Sequence, residues 1–266
     1  MLNELKSNLV SGRPLFGARV CGLTRKALAA EITRAPATDG VRLVVTMNLD
    51  HVVRLRTNPA LRRAYAGAWA VTIDGAPVFI YGLARGAGAP QRITGGDLLA
   101  ELAGAWPLDR RPFFVTASNE IGQRLTENFV ARGFSRDAMA FCCPPFGFEN
   151  DASQSHALCA EIRAHGATDL VIGVGAPKSE VWVDGHRGQL GNLYAYAFGA
   201  GLEHLVDPAA RAPKAMRTLG LEWMWRLARE PARLWRRYLI ESWAVFPSVA
   251  EDLAGRAPHG QLRLED

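Results

Sequence analysis

Asp74 is the carboxylate best placed to do chemistry. It follows the apolar run Ala70–Ile73 and precedes Gly75, where a strand ends and a turn begins. A carboxylate projecting from a strand end into a partly desolvated cleft can serve as a general base. The competing reading is a helix cap, with Asp74 satisfying the first amides of a helix over APVFIYGLA. A second candidate is Gly173-Val174-Gly175-Ala176-Pro177-Lys178, whose backbone amides at a helix start would suit a phosphate. That segment fits neither G-x-G-x-x-G nor the Walker pattern, and no acid is placed for a ribose, so a nicotinamide enzyme is a poor fit. Thr46-Met47-Asn48 after RLVV and Gly199-Ala200-Gly201 after YAYAF complete a set of four such turns. Each alone is ordinary turn chemistry; four at separate strand ends describe a cleft.

Charge is the other signal. Arg211 to Tyr238 carries eight Arg or Lys residues against Glu222 and Glu230, a local charge of +6, while the whole chain sums to +5. Trp223, Trp225 and Trp235 fall in the same stretch. Positive charge interleaved with Trp points to an anionic, partly apolar partner, a lipid surface or a nucleic acid. From Pro231 onward a helix would put Leu234, Trp235, Tyr238 and Leu239 on one side and Arg233, Arg236 and Arg237 on the other. That face suits either a membrane interface or a terminal helix turning arginines toward a phosphate site.

Seven runs read as strands: Ala18–Leu23, Val41–Thr46, Ala70–Ile73, Pro112–Thr116, Ala138–Cys142, Asp169–Gly173 and Leu193–Phe198. Helical patterns alternate with them. Asn58-Pro59 opens one, and Asp151 opens another that ends at Gly166. Strand–helix alternation implies an α/β fold with a mainly parallel sheet. Past about Ala210 only helical pattern remains, which divides the chain into an α/β core, 1–210, and a basic, Trp-rich helical appendage, 211–266. The first residues lack a signal-peptide run, and no stretch approaches the roughly 18 apolar residues of a membrane span. The chain is therefore expected to be cytoplasmic, with any membrane contact peripheral. The four cysteines show no C-x-x-C spacing and read as small core residues. There is no D-x-D, and the six histidines lack H-x-x-x-H or H-E-x-x-H spacing, so no metal and no cofactor are expected.

The motifs occur in an order that resembles a known family. T-x-N at Thr46–Asn48, I-D-G at Ile73–Gly75, R-x-T-G-x-D at Arg92–Asp97 and G-x-G-x-P-K-x-E at Gly173–Glu180 are followed by R-A-P at Arg211–Pro213. L-G-L-E-W-x-x-R-L-x-x-E-P-x-R-x-x-R-Y at Leu219–Tyr238 closes the series. Together they resemble the WecG/TagA/CpsF glycosyltransferases, glycosyltransferase family 26, from about Pro14 to Phe246. The resemblance implies a Rossmann-like α/β core with a helical C-terminal appendage that reaches the membrane and completes the site. It implies an inverting, metal-independent hexosyltransferase of N-acetylmannosaminyl, N-acetylmannosaminuronyl or glucosyl type. Such an enzyme moves a sugar from a UDP-sugar to an undecaprenyl-diphosphate-linked saccharide in bacterial surface polysaccharide synthesis, on the inner face of the plasma membrane.

Carried onto matching positions, Asp74 becomes the catalytic base, with Thr46 and Asn48 on acceptor or donor sugar. Gly75, Arg92, Gly95 and Asp97 join the substrate-binding set. Gly173, Gly175, Pro177, Lys178 and Glu180 would lie in the nucleotide-sugar cleft, and Arg226, Arg233 and Arg236 would meet the diphosphate. Ser179 stands where the family commonly has Gln, so that role is not carried over, and roles for Glu203 and His204 stay open. The main alternative is a non-enzymatic peripheral module whose basic tail docks on anionic lipid. A nucleic-acid partner is disfavoured because the core is nearly neutral. The sugar, the polysaccharide and homo-oligomerisation are left open.

Overall fold

The computed structural model describes residues 9–10, 12–199, 201–207, 211–218, 220–232, 235–236 and 241–255, and of residues 203, 204, 214, 218 and 226 the backbone alone. The strands are β1 Val41–Met47, β2 Ala70–Ile73, β3 Pro112–Val115, β4 Ala140–Cys142, β5 Asp169–Ile172 and β6 Leu193–Ala197. They form one sheet in the order β2-β1-β6-β5-β3-β4, and every pairing is parallel. Parallel strands need long crossovers, and helices supply them. Up to β3 these are α1 Arg25–Arg34, α2 Leu49–Thr57, α3 Pro59–Ala66, α4 Ala76–Arg85 and α5 Gly95–Ala105. Up to β6 they are α6 Asn119–Val130, α7 Ala152–His165, α8 Lys178–Gly185 and α9 Arg187–Leu190. Beyond β6 come α10 Gly201–Val206, α11 Lys214–Thr218, α12 Glu222–Arg229 and α13 Val245–Leu253.

Helices cover both faces, so the central strands are buried throughout. All of LYAYA in β6 and DLVI in β5 is enclosed, as expected for a sheet sandwiched between helices. One side of the sheet packs Leu43, Val45, Met47 and Ile172; the other packs Val44, Phe114, Val171 and Tyr196. The helix boundaries follow local chemistry. The Asn58 side chain accepts from the Leu61 amide with Pro59 in the first turn, and Asp151 accepts from the Ser153 and Gln154 amides at the start of α7.

The seventh expected strand, Ala18–Leu23, does not form. The chain reverses at Phe16 and Gly17, both with positive φ. The segment beyond gives isolated antiparallel bridges, Leu15 to Ala18 and Val10 to Cys21. One Cys21 amide bond to the Val71 carbonyl, 2.7 Å, ties it to β2.

Two anchors hold the C-terminal helices to the sheet. Asp252 on α13 is buried and accepts from the Phe16 amide at 2.6 Å and the Tyr81 hydroxyl at 2.7 Å. Asp97 in the first turn of α5 accepts from Arg211 at 2.7 Å and Arg217 at 3.3 Å. No helix among the described residues is long and apolar enough to cross a membrane.

Candidate active site

Parallel pairing of β1 with β2 brings the turns after both strands together. Met47 lies beside Ile73, and the Met47 carbonyl then accepts from the Asp74 amide at 2.8 Å and the Gly75 amide at 3.3 Å. Asp74 is thereby fixed next to Asn48. The approach depends on Gly75, because a Cβ there would stand 3.3 Å from the Asn48 Cα. Gly75 is also the N-cap of α4, with no side-chain cap. The N-cap position weighed for Asp74 is thus held by Gly75.

Around these two turns opens a cavity of about 620 Å³, within the 300–1,000 Å³ range of ligand pockets. The sheet side supplies Asn48, Asp50, Arg54, Asp74, Gly75, Pro77 and Arg92, and the C-terminal segment supplies Gly220, Glu222, Trp223, Glu241 and Ser242. Asn48 caps α2 by accepting from the His51 amide at 3.2 Å. Its amide nitrogen, the donor end of that side chain, is not used by this cap. Asp50 pairs with Arg54 one turn on, at 3.0 Å. Arg92 donates to the Asp74 carbonyl at 3.0 Å and to the Arg217 carbonyl. One guanidinium thus ties the Asp74 turn to the segment that closes the cavity.

The other expected residues stand around this cavity rather than in its wall. Thr46 is buried in β1, and its carbonyl accepts from the Tyr65 hydroxyl at 3.2 Å. Burial, then the carboxylates of Glu180, Asp74 and Asp50, push the Tyr65 phenol well above its ordinary range, so it stays a neutral donor. Glu180 is 1% exposed and meets the buried His51 ring at 2.9 Å. This pair joins α8 to α2 beneath the cavity, and neither His51 Nδ1 nor Glu180 Oε2 has a hydrogen-bond partner. Gly95 packs on Phe198, and Gly173 on Leu202. Gly175 has positive φ, and Pro177 follows a cis peptide. Lys178 pairs with Glu149 and lies over the Phe146 ring at 4.4 Å. The turn after β5 therefore shares the carboxyl edge of the sheet with Asp74 without lining the same cavity.

Asp97 meets arginines. Burial alone would raise its carboxyl, but the Arg211 charge, the Thr94 hydroxyl and Arg25 outweigh it and hold it below its ordinary value. Of the three arginines expected at a diphosphate, Arg233 and the Arg226 side chain lie outside the described residues, as does most of the helix read from Pro231. Arg236 is exposed and reaches Glu241, a cavity residue, at 3.8 Å. Sequence reasoning missed Asp50, Arg54, Glu241 and Ser242. Asp50 and Arg54 had a signal, an i,i+4 pair directly after Asn48; Glu241 and Ser242 had none, being recruited by tertiary contact.

A cavity at the carboxyl ends of parallel strands, walled by carboxylates and small residues, suits a polyhydroxylated ligand. The sequence comparisons agree. The chain is 26% identical over 225 residues to an N-acetylglucosaminyldiphosphoundecaprenol N-acetyl-beta-D-mannosaminyltransferase of Bacillus spizizenii, covering 84% of each protein. Residues 13–258 match the glycosyl transferase WecG/TagA/CpsF family, and the chain belongs to that family.

Proposed function

We propose that this glycosyltransferase moves an N-acetylmannosamine-type sugar from a UDP-sugar onto an undecaprenyl-diphosphate-linked saccharide, by inversion and without a metal. The observation that carries the reading is Asp74, held by the Met47 carbonyl and Arg92 at the wall of a saccharide-sized cavity. The acceptor hydroxyl attacks the anomeric carbon and gives its proton to the Asp74 carboxylate. The bond from that carbon to the phosphate oxygen breaks, and UDP leaves with the electron pair. In this reading Asn48 and Glu222, both in the cavity wall, bond sugar hydroxyls. Charge on the leaving diphosphate requires cations, which the basic stretch from Arg211 to Arg237 carries in quantity. The same stretch supports attachment to an anionic membrane face.

The test measures UDP release from UDP-N-acetylmannosamine, and from competing UDP-sugars, with a lipid-diphosphate disaccharide precursor in excess EDTA. Turnover should persist in EDTA and fall by roughly 10² to 10⁴-fold in Asp74→Asn, the usual contribution of a positioned base. Activity near the parent level in a folded Asp74→Asn chain would remove the base assignment. Activity lost in EDTA and restored by Mg²⁺ would remove the metal-independent route. Vesicle binding with no UDP release would favour the non-enzymatic module.

A further inference from the structure

Two neighbouring helices have their polarity turned inside out. Every exposed position on α4 before its C-cap is apolar: Pro77, Ile80, Leu83 and Ala84. The same holds from Trp243 to Ala254, where Trp243, Ala244, Phe246, Pro247, Ala250, Leu253 and Ala254 are the exposed positions. The polar side chains of both helices face the protein instead. Ser248 and Asp252 are buried, Glu251 pairs with Arg56 at 2.9 Å, and Tyr81 and Arg85 are partly covered. A helix on a water-facing surface shows the reverse arrangement.

The two faces belong together. Asp252 on α13 accepts from Tyr81 at 2.7 Å and from Arg85 at 3.2 Å on α4, so side-chain bonds join the two helices. Ile80, Leu83, Trp243, Phe246 and Leu253 are each 57–67% exposed, and the Trp243 and Phe246 rings pack at 5.6 Å. Large apolar side chains scattered singly are normal, but five on two joined helices mark an interaction surface.

Position identifies the partner. Ala76 and Pro77 at the start of α4, and Ser242 and Ala244 in the 3-10 turn just before α13, line the Asp74 cavity. The apolar surface thus adjoins the cavity mouth. Trp223, 39% exposed, stands in that wall and belongs to the basic stretch from Arg211 to Tyr238. Arginines beside Trp and aliphatic side chains complement an anionic bilayer surface, with its charged headgroups over acyl chains. We infer that α4, together with the face from Trp243 to Ala254, is the surface through which the protein dips into an anionic bilayer. This seats the cavity mouth at headgroup depth. The inference rests on the proposed lipid-linked acceptor and extends membrane contact from the basic segment to a helix of the sheet domain.

The test is co-sedimentation of the full chain with vesicles of phosphatidylglycerol and phosphatidylethanolamine, for the parent and for Ile80→Glu/Leu83→Glu and Phe246→Glu/Leu253→Glu. None of these four residues lines the cavity. Each double variant should lower vesicle affinity by on the order of 100-fold, the worth of two large apolar side chains kept out of an apolar phase. Turnover on a short, water-soluble acceptor analogue should stay within a few-fold of the parent, which also certifies folding. Because that turnover is read separately, loss of the proposed activity and loss of the docking surface are distinguishable. Unchanged vesicle affinity in Ile80→Glu/Leu83→Glu would overturn the inference for α4. So would a parent dimer that the variant converts to monomer with vesicle binding intact, since the face would then join two copies.

Discussion

Removing the Asp97 carboxylate tests how the C-terminal segment is held over the cavity. Its Oδ1 accepts from Arg211 at 2.7 Å and Arg217 at 3.3 Å, and its Oδ2 accepts from the Thr94 hydroxyl at 2.9 Å. The Asp97 and Arg211 side chains are 22% and 13% exposed, so solvent screens this pair only in part. A hydrogen bond to a charged group contributes about 1.5–3 kcal/mol, and with the longer Arg217 contact discounted the loss in Asp97→Ala is about 3 kcal/mol. That loss falls on docking of 211–223 rather than on the sheet. Gly220, Glu222 and Trp223 would then leave the cavity wall, and kcat/KM should fall by roughly 100-fold. Hydrogen exchange should show amides of 211–229 losing protection while β1 and β6 keep theirs. Asp97→Glu, which keeps the charge, should recover part of both.

The sign of the pH dependence follows from a depressed carboxyl. The contribution is present above the ordinary value of 3.8 and is lost as pH falls through the lower folded value. The parent should therefore release the segment only below pH 3.8, a step that Asp97→Ala lacks. Unchanged turnover and unchanged exchange in 211–229 for Asp97→Ala would refute the reasoning.

Gly220 has φ of +73°, and a Cβ there would fall 2.4 Å from the Ala76 Cβ, so Gly220→Ala should lift the segment off α4 and lower kcat/KM at least about tenfold. Steady-state kinetics on a soluble acceptor reads this directly, and parent-like values would contradict the close packing. Asp169 is fully buried and receives Arg110 at 3.2 Å, Tyr196 at 2.6 Å and Thr168 at 2.7 Å. Asp169→Ala leaves Arg110 buried without its carboxylate and should cost about 3–5 kcal/mol in urea unfolding. A cost under about 1 kcal/mol would mean that water or a shifted side chain replaces the carboxylate.

Six of the seven expected strands form because their signal is local. β5 and β6 are short apolar runs closed by glycine or a turn, and a buried parallel strand needs little else. Ala18–Leu23 carried the same composition and failed, because a strand also needs a partner along its length and the reversal at Phe16 and Gly17 denies it one. Asp74 and Asn48 were legible for the same local reason: both follow strands, and strand ends of a parallel sheet converge. The role of Asp97 was not. The resemblance puts it in the substrate-binding set, while in the fold its carboxylate meets arginines 114 and 120 residues away in the chain. Glu180 is likewise expected in the nucleotide-sugar cleft, and its burial against His51, 129 residues away, is a fact of packing alone.

The charge of the cavity argues for two ends with different chemistry. Its wall holds Asp50, Asp74, Glu222 and Glu241 against Arg54 and Arg92. Arg54 already pairs with Asp50, and Arg92 is occupied by two backbone carbonyls. A diphosphate set directly against such a wall would meet repulsion, whereas sugar hydroxyls would find acceptors. The cations that a diphosphate needs are concentrated instead between Arg211 and Arg237. Arg236 reaches the cavity rim through Glu241. The reaction proposed above would then set its sugar end at the strand ends and its phosphate end under the C-terminal segment. Arg92 and Asp97 bind that segment to the sheet side, so the R-x-T-G-x-D motif holds the segment in place while the I-D-G motif supplies Asp74 and Gly75 to the cavity wall.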